Sequence, residues 1–123
     1  NNYMCEQVTN ICEGIAKSFS VTYDISKMGE AVDLTADREL VDILNESGRE
    51  VGLKVLDKPL NFGGSEDATI LARRVQSHGG KAAFFVWGSD RPSGHHSALF
   101  EINEKDLDKS LELWTHILPK ILK

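Results

Sequence analysis

Residues 61–104 read NFGGSEDATILARRVQSHGGKAAFFVWGSDRPSGHHSALFEINE, and they decide how the rest of the chain is interpreted. One glycine pair precedes a helical pattern, a second pair follows it, and an apolar run then leads into a loop containing His95 and His96. Two acids, Glu66 and Asp67, stand at the start of the predicted helix. Because loops at strand ends carry most ligand sites in α/β proteins, this block predicts a candidate site as well as a scaffold.

The elements around this block alternate between strand and helix. Residues 82–87 (AAFFVW) form a continuous apolar run, which is typical of a strand buried on both faces of a parallel sheet. A shorter run at 52–56 predicts another strand. Helices are expected at 35–48, at 66–78 and from residue 103 onward, capped by Thr35, Ser65 and Asn103, and the core face of the last one is expected to be Leu107, Leu111, Trp114, Leu118 and Ile121. This alternation indicates an α/β fold.

The N-terminal residues predict one helix and one strand that need a partner. Residues 2–18 carry apolar side chains on a single helical face. Residues 19–25 then alternate apolar and polar, which is typical of a half-buried strand in a small antiparallel sheet. A helix and a strand cannot close a core by themselves, so we place a boundary between them and the next helix, around residues 28–33.

The composition is that of one soluble domain with an acidic surface. The chain has 123 residues and a net charge of −5, which argues against nucleic acid or an anionic membrane as a partner. No apolar run approaches the ~20 residues that cross a bilayer. Cys5 and Cys12 would lie about 10 Å apart on one helix, too far for a disulfide, so we expect free thiols and a cytoplasmic location. The chain begins NNYM without an initiator methionine, and we expect it to belong to a longer polypeptide.

The spacing of the acids and histidines leaves two interpretations open. Imidazole suits transition metals, so the loop pair His95-His96 is a candidate metal ligand, at most one of the two binding a given ion. The alternative is that neither histidine has a role. Glu66 and Asp67 are candidates to bind a cation or to polarise a histidine, or they serve only as favourable partners of the helix dipole.

Two motifs together resemble a known family. The run GGSEDATILARRVQSHGG, followed by GHHSALFEINEKDL, resembles the C-terminal part of the aminoacylase/carboxypeptidase family of zinc metallopeptidases. Within that family, the variants Glu-Asp-Ala-Thr, Arg-Val-Gln and Gly-His-His are most similar to the amidohydrolases of the aminobenzoyl-glutamate type. The resemblance is good over residues 34–122 and looser over residues 2–32.

The resemblance implies a two-lobed enzyme of which this chain holds two pieces. Residues 1–32 would be the last helix and strand of an α+β lid or dimerisation domain. Residues 33–123 would be the C-terminal segment of the catalytic α/β domain. It further implies a homo-oligomer, or a swapped dimer when the segment is alone. The expected partner is a small-molecule amide substrate, with no nucleic acid and no membrane.

The resemblance also assigns roles residue by residue. The family's late metal-ligand histidine, counted back from Phe100, falls on His96, with His95 as the fallback. It holds one ion of a pair of divalent metals, zinc or manganese. Ser65, Glu66 and Asp67 correspond to a helix start that lines the pocket without ligating metal, and Gly94 would let the backbone turn the histidine inward.

The departures from the family pattern predict a segment that is inactive alone. The family's other ligands are a His-x-Asp or Cys-x-His and a Glu-Glu pair that includes the general base, and none of these occurs here. We therefore expect no catalytic residue in this chain, no stably bound metal when it is isolated, and a parent enzyme that cleaves the amide of an N-acyl amino acid, such as an aminobenzoyl amino acid, or of a dipeptide. The alternative is a noncatalytic oligomerisation or packing module with no metal site.

Overall fold

The computed structural model describes residues 2–56, 58 and 64–122, and within them the chain forms four helices. Irregular segments connect the helices, including residues 20–37 and residues 78–104. The helices are α1 (Asn2–Phe19), α2 (Arg38–Glu50), α3 (Ala68–Ser77) and α4 (Lys105–Ile121).

The predicted α/β fold is wrong, because the residues that the structure describes contain four helices and no strand. None of the segments 19–25, 52–56 and 82–87 forms the strand expected of it. A strand needs a neighbouring strand for its ladder of hydrogen bonds, and the described residues offer none. Period-two alternation after Phe19 identifies side chains suited to a half-buried sheet, but it does not supply that neighbour. The same finding overturns the expected α+β and α/β characters of residues 1–32 and 33–123, whereas the boundary between them stays a prediction.

The helices lie close to their predicted positions, but the predicted caps differ. The helix expected at residues 2–18 is confirmed as α1. The residue that precedes α2 is Asp37 and not Thr35, and the residue that precedes α3 is Asp67 and not Ser65. Neither Asp37 nor Asp67 makes a side-chain cap hydrogen bond, and Asp37 uses its carboxylate to hold residues further along the chain.

The core is a small cluster between α2 and α4. Its buried members are Val51, Leu113 and Ile117, and Trp87 is among the partly buried residues packed against them. Gly48 was expected to end α2, yet the helix continues to Glu50. Gly48 instead allows close packing, because a Cβ atom there would lie 2.8 Å from Cγ2 of Val55. The other partly buried members are Ile43, Leu44 and Leu53.

The face of α4 that is buried is not the one that the sequence predicts. Leu113 and Ile117, four residues apart, are 4% and 3% exposed. The predicted core residues Leu107, Leu111, Trp114, Leu118 and Ile121 are all at least 41% exposed. Helix α4 therefore offers apolar side chains over a wide arc, and contact with α2 selects the part of that arc that becomes buried.

Helix α1 leaves its apolar face open. Met4, Val8, Ile11 and Ile15 are between 52% and 67% exposed, and Ala16 is the buried residue of this helix. A folded monomer of 13.6 kDa is expected to expose about 6,600 Å². This chain exposes 10159 Å², so much of its apolar surface lacks the cover that such side chains normally have. Among the described residues, no helix combines the length and the apolar character needed to cross a membrane.

Candidate active-site cleft

A cleft of about 890 Å³ lies where three distant segments of the chain meet. The first segment precedes α3, the second is the loop between the predicted strand and α4, and the third is part of the connection from α1 to α2. We call residues 88–104 the histidine loop. The residues that line the cleft are Gly29, Glu30, Ala31, Ser65, Glu66, Asp67, His95 and His96.

The first wall is the start of α3, which is held by its own first turn. The backbone N–H and the hydroxyl of Thr69 both donate to the carbonyl oxygen of Glu66, at 3.2 Å and 2.6 Å. The same hydroxyl accepts a hydrogen bond from the backbone N–H of Val32, at 3.2 Å. Thr69 therefore ties the acidic helix start to the connection from α1 that forms part of the opposite side of the cleft.

Further along, α3 is fastened to residues 33–37 by two long side chains. Arg73 donates to the carbonyl oxygen of Asp33 at 2.8 Å and lies 3.2 Å from its carboxylate. The amide of Gln76 donates to the carbonyl oxygen of Thr35 at 2.9 Å and to the carboxylate of Asp37 at 2.8 Å. These contacts fix the direction of α3 relative to the start of α2.

Asp37 is the centre of this attachment. Its carboxylate also accepts the backbone N–H of Ala82 at 2.7 Å, and its own N–H donates to the carbonyl oxygen of Ala82 at 2.9 Å. Hydrogen bonds from Gln76 and then from Ala82 lower the pKa of Asp37, because both favour the ionised carboxylate. Beside it, Lys81 forms an ion pair with Glu39 of α2.

The second wall is the histidine loop, which is closed at its base. The hydroxyl of Ser89 donates to the carboxylate of Asp106 in the first turn of α4 at 2.5 Å. The same oxygen accepts the backbone N–H of Asn103 at 3.3 Å. The two ends of the loop therefore meet at Ser89, as in the compact surface loops that often carry function.

The two histidines have different local settings within this loop. The ring of His95 stacks on Phe100, with centroids 5.3 Å apart and planes inclined by 26°. His96 adopts a left-handed backbone conformation, with φ of 59°. Left-handed residues other than glycine are uncommon, and they occur preferentially at functional sites. Both histidines line the cleft.

The structure thus brings together most of the residues that the sequence selects for a site. Ser65, Glu66, Asp67, His95 and His96 line one cleft. Gly94 is described by the structure and does not line it, and the positive φ that we expected of Gly94 occurs at His96. The roles of all six residues stay predictions.

One part of the cleft has no signal in the sequence. Gly29, Glu30 and Ala31 line it, although we interpret this region from the sequence only as a domain boundary. Glu30 pairs with Lys27 at 2.6 Å, and that hydrogen bond lowers the pKa of Glu30. Because residues 20–37 have no periodic pattern, only the folded chain reveals which of them approach α3.

The donors in the cleft fit part of a metal site. Imidazole and carboxylate groups are ligands for zinc and manganese, and both kinds are present. Over residues 2–56, 58 and 64–122, however, no group of three or more histidine, cysteine, aspartate or glutamate side chains is arranged to hold an ion. The described residues can therefore contribute a ligand to a metal site, but they do not complete one.

Comparison with known proteins places the chain beside amidohydrolases. A homolog of p-aminobenzoyl-glutamate hydrolase from Haemophilus influenzae is 44% identical over 123 residues. An indole-3-acetyl-aspartic acid hydrolase from Enterobacter agglomerans is 30% identical over 114 residues. The p-aminobenzoyl-glutamate hydrolase of Escherichia coli K12 is 28% identical over 114 residues. No family model matches the chain, and no solved structure matches it.

These matches cover nearly all of this chain and a minor part of each relative. The first covers 99% of the chain and 29% of the relative, and the other two each cover 91% of the chain and 26% of the relative. The chain therefore spans less than a third of the length of the curated relatives it matches. The resemblance drawn from the two motifs is confirmed: the chain is similar, along almost its whole length, to a segment of p-aminobenzoyl-glutamate hydrolase and its homologs.

Proposed function

We propose that this chain forms one wall of the active site of a metal-dependent amidohydrolase. The whole protein would cleave the amide bond of an N-acyl amino acid or dipeptide with a metal-activated water. The names of the relatives supply the substrate class, since aminobenzoyl-glutamate and indole-3-acetyl-aspartate both join an aromatic acyl group to an acidic amino acid. The partner is therefore a small-molecule amide.

The observation that carries this proposal is the meeting of the two motifs in one cleft. Glu66 and His96 are 30 positions apart in the sequence, yet both line the same 890 Å³ space. A pocket in which several titratable side chains converge is the usual form of a small-molecule site. Helix α3 and the histidine loop have separate attachments to the rest of the fold, which supports a geometry set by the protein.

In this proposal His96 is the metal ligand, with His95 as the fallback. A bound divalent metal, zinc or manganese, polarises the scissile carbonyl and lowers the pKa of the attacking water. The left-handed backbone at His96 separates its direction from that of His95, whose ring is engaged by Phe100. Glu66 and Asp67 make the opposite wall acidic, which favours cations in the cleft.

The experiment compares two adjacent substitutions in the full-length protein, His96→Asn and His95→Asn. Asparagine tolerates the left-handed conformation better than alanine does, so the loop should keep its shape at residue 96. We expect His96→Asn to lose bound metal and to reduce hydrolysis of p-aminobenzoyl-glutamate by about 100-fold or more, because loss of a ligand should exceed the 10–100-fold cost typical of its supporting groups.

The neighbouring variant is the matched control. His95→Asn should keep its metal and most of its activity. The opposite pattern would transfer the ligand role to His95. Normal metal content and activity in both variants would contradict the proposed metal site.

The segment alone should be inactive, since it brings one histidine ligand and no general base to the reaction. Hydrolysis of aminobenzoyl or other N-acyl amino acids by the 123-residue chain with added zinc would contradict this expectation. A cytoplasmic location and a homo-oligomeric state also stay predictions.

A second candidate function is a noncatalytic packing or oligomerisation module. The open apolar face of α1, with Met4, Val8, Ile11 and Ile15, favours it because such a face normally packs against another surface. Size-exclusion chromatography of the chain tests this reading. A clean monomer with exposed α1 would count against it, and it differs from the enzyme proposal in requiring no metal.

A further inference from the structure

The base of the histidine loop carries a polar contact that none of the site predictions includes. Ser89 donates to Asp106 at 2.5 Å and accepts from the N–H of Asn103 at 3.3 Å. Ser89 and Asp106 are both partly buried. One hydroxyl thus joins the first residues of the loop, its last residues and the first turn of α4.

This contact connects the loop to the most rigid part of the fold. Trp87, just before the loop, packs against the core cluster. Helix α4, just after it, contributes Leu113 and Ile117 to the same cluster. Both ends of the loop are therefore fixed to one core, and Ser89 joins them at the point where the loop leaves it.

The other hydrogen bonds of the loop are local. Arg91 donates to the carbonyl oxygen of Ser93, while the N–H groups of Leu99 and Phe100 donate to Ser97. Such bonds shape short turns, but they cannot set the position of the loop relative to the helices. Among the hydrogen bonds that the structure describes for residues 88–104, those of Ser89 connect the loop to α4 across the longest sequence separation, 17 residues.

We propose that Ser89 and Asp106 are positioning residues for the histidines of the cleft. By closing the loop on α4, they determine where His95 and His96 lie relative to Glu66 on the opposite wall. Neither residue lines the cleft, so both act through the histidines. This inference rests on the proposed function, because the measurable consequence is metal binding by the loop.

A simpler explanation exists for Asp106 alone. An acid in the first turn of a helix is favourable through the helix dipole, whatever it contacts. Asp108 occupies the same first turn, is exposed, and has no described contact with the loop. It is therefore the matched control that separates a dipole effect from a positioning effect.

The test uses full-length protein carrying Ser89→Ala, Asp106→Ala or Asp108→Ala. Zinc affinity is measured by competition with a chromogenic chelator, and kcat and KM are measured separately with p-aminobenzoyl-glutamate. We expect Ser89→Ala and Asp106→Ala to weaken zinc binding by about 10–100-fold, as loss of an outer supporting group typically does. At metal concentrations below saturation kcat should fall while KM changes little. Asp108→Ala should leave zinc affinity unchanged.

Two further measurements distinguish positioning from general damage. Ser89→Thr keeps the hydroxyl and should restore zinc affinity. In the His96→Asn background, Ser89→Ala should cause no further loss, because both changes act on the same ligand. Hydrogen exchange of metal-free protein should quicken at residues 90–103 in Ser89→Ala, with α2 and α4 unaffected.

Several outcomes would overturn the inference. They are unchanged zinc affinity in Ser89→Ala, an equal loss in Asp108→Ala, or a full additional loss in the His96→Asn background. If Ser89→Ala does not fold, Asp106→Ala gives the same measurement with the Ser89–Asn103 contact retained. Failure of the proposed function has a different sign, since His96→Asn and His95→Asn would then both keep wild-type metal and activity.

Discussion

Helices α2 and α4 form a packed pair, whereas α1, with an equally amphipathic sequence, has almost nothing packed against it. The pair shares a cluster around Val51, Leu113 and Ile117. Helix α1 is supported mainly by local contacts such as the Lys17–Glu13 ion pair, and its apolar side chains are about half exposed or more. The comparison teaches that an amphipathic pattern identifies a helix and its apolar face, but not whether the same chain covers that face.

The largest expected effect comes from breaking the packed pair. Ile117→Ala removes a side chain that is 3% exposed in the cluster between α2 and α4. We expect the free energy of unfolding to fall by about 2–5 kcal/mol, as for other buried large-to-small changes. Urea denaturation followed by circular dichroism measures the loss. The control is Leu111→Ala on the same helix, 67% exposed, which should change the free energy by no more than about 0.5 kcal/mol.

A change in α1 tests the other side of the comparison. Val8 is 52% exposed here, so Val8→Ala should cost the 123-residue chain no more than about 0.5 kcal/mol. In the full-length protein we expect about 1–3 kcal/mol, because the apolar face of α1 should then be covered. Equal small costs in both proteins would mean that the face remains open.

A smaller effect is expected at the attachment of α3 to α2. The pKa of Asp37 is lowered, so its ionised form stabilises the fold above the ordinary aspartate range. That stabilisation should disappear as the pH falls through the lowered pKa of Asp37. Asp37→Asn should therefore be less stable than the wild type at neutral pH, by less than Ile117→Ala is, and the two should converge in acid. A difference that persists unchanged at low pH would contradict this role. Unfolding curves at several pH values provide the measurement.

The smallest effect belongs to the exposed ion pairs at the ends of α2 and α4. Lys120 lies 2.9 Å from Glu50 and 3.2 Å from Glu46, which raises the pKa of Lys120, and Glu50, paired with Lys120 and His116, has a lowered pKa. The pair therefore stabilises the fold between the ordinary pKa values of glutamate and lysine, and is lost in strong acid or base. Lys120→Met should cost little, and less still in 1 M salt because exposed charges are screened. A cost independent of salt would instead indicate loss of packing by the lysine stem.

The sequence predicts the local features of this molecule better than its long-range ones. The spacing of apolar residues locates α1, and the acids and histidines that it selects do meet in one cleft. The strands fail because alternation after Phe19 requires a neighbour that the described residues lack. The buried face of α4 is Leu113 and Ile117, since contact with α2 decides it. Glu30 enters the cleft from an irregular segment, where no periodicity exists to reveal it.

The contribution of Ser89 was likewise beyond sequence reasoning. A serine followed by an aspartate 17 positions later has no local meaning, and Asp106 by itself fits an ordinary helix start. The contact becomes visible only when the histidine loop closes. Polar residues that link the two ends of a loop are therefore the part of a site that pattern analysis is least able to find.

The pairing of α2 with α4 has a consequence for the order in which the chain folds. Lys109 reaches the carbonyl oxygen of Val51 across 58 residues, and Lys120 reaches Glu50 across 70. Helix α3 and the histidine loop both lie in the sequence between these partners. Closing such a long segment costs chain entropy before any contact offsets it, so this step should be slow. The two walls of the cleft can face each other only after that closure, which makes the cleft a late product of folding.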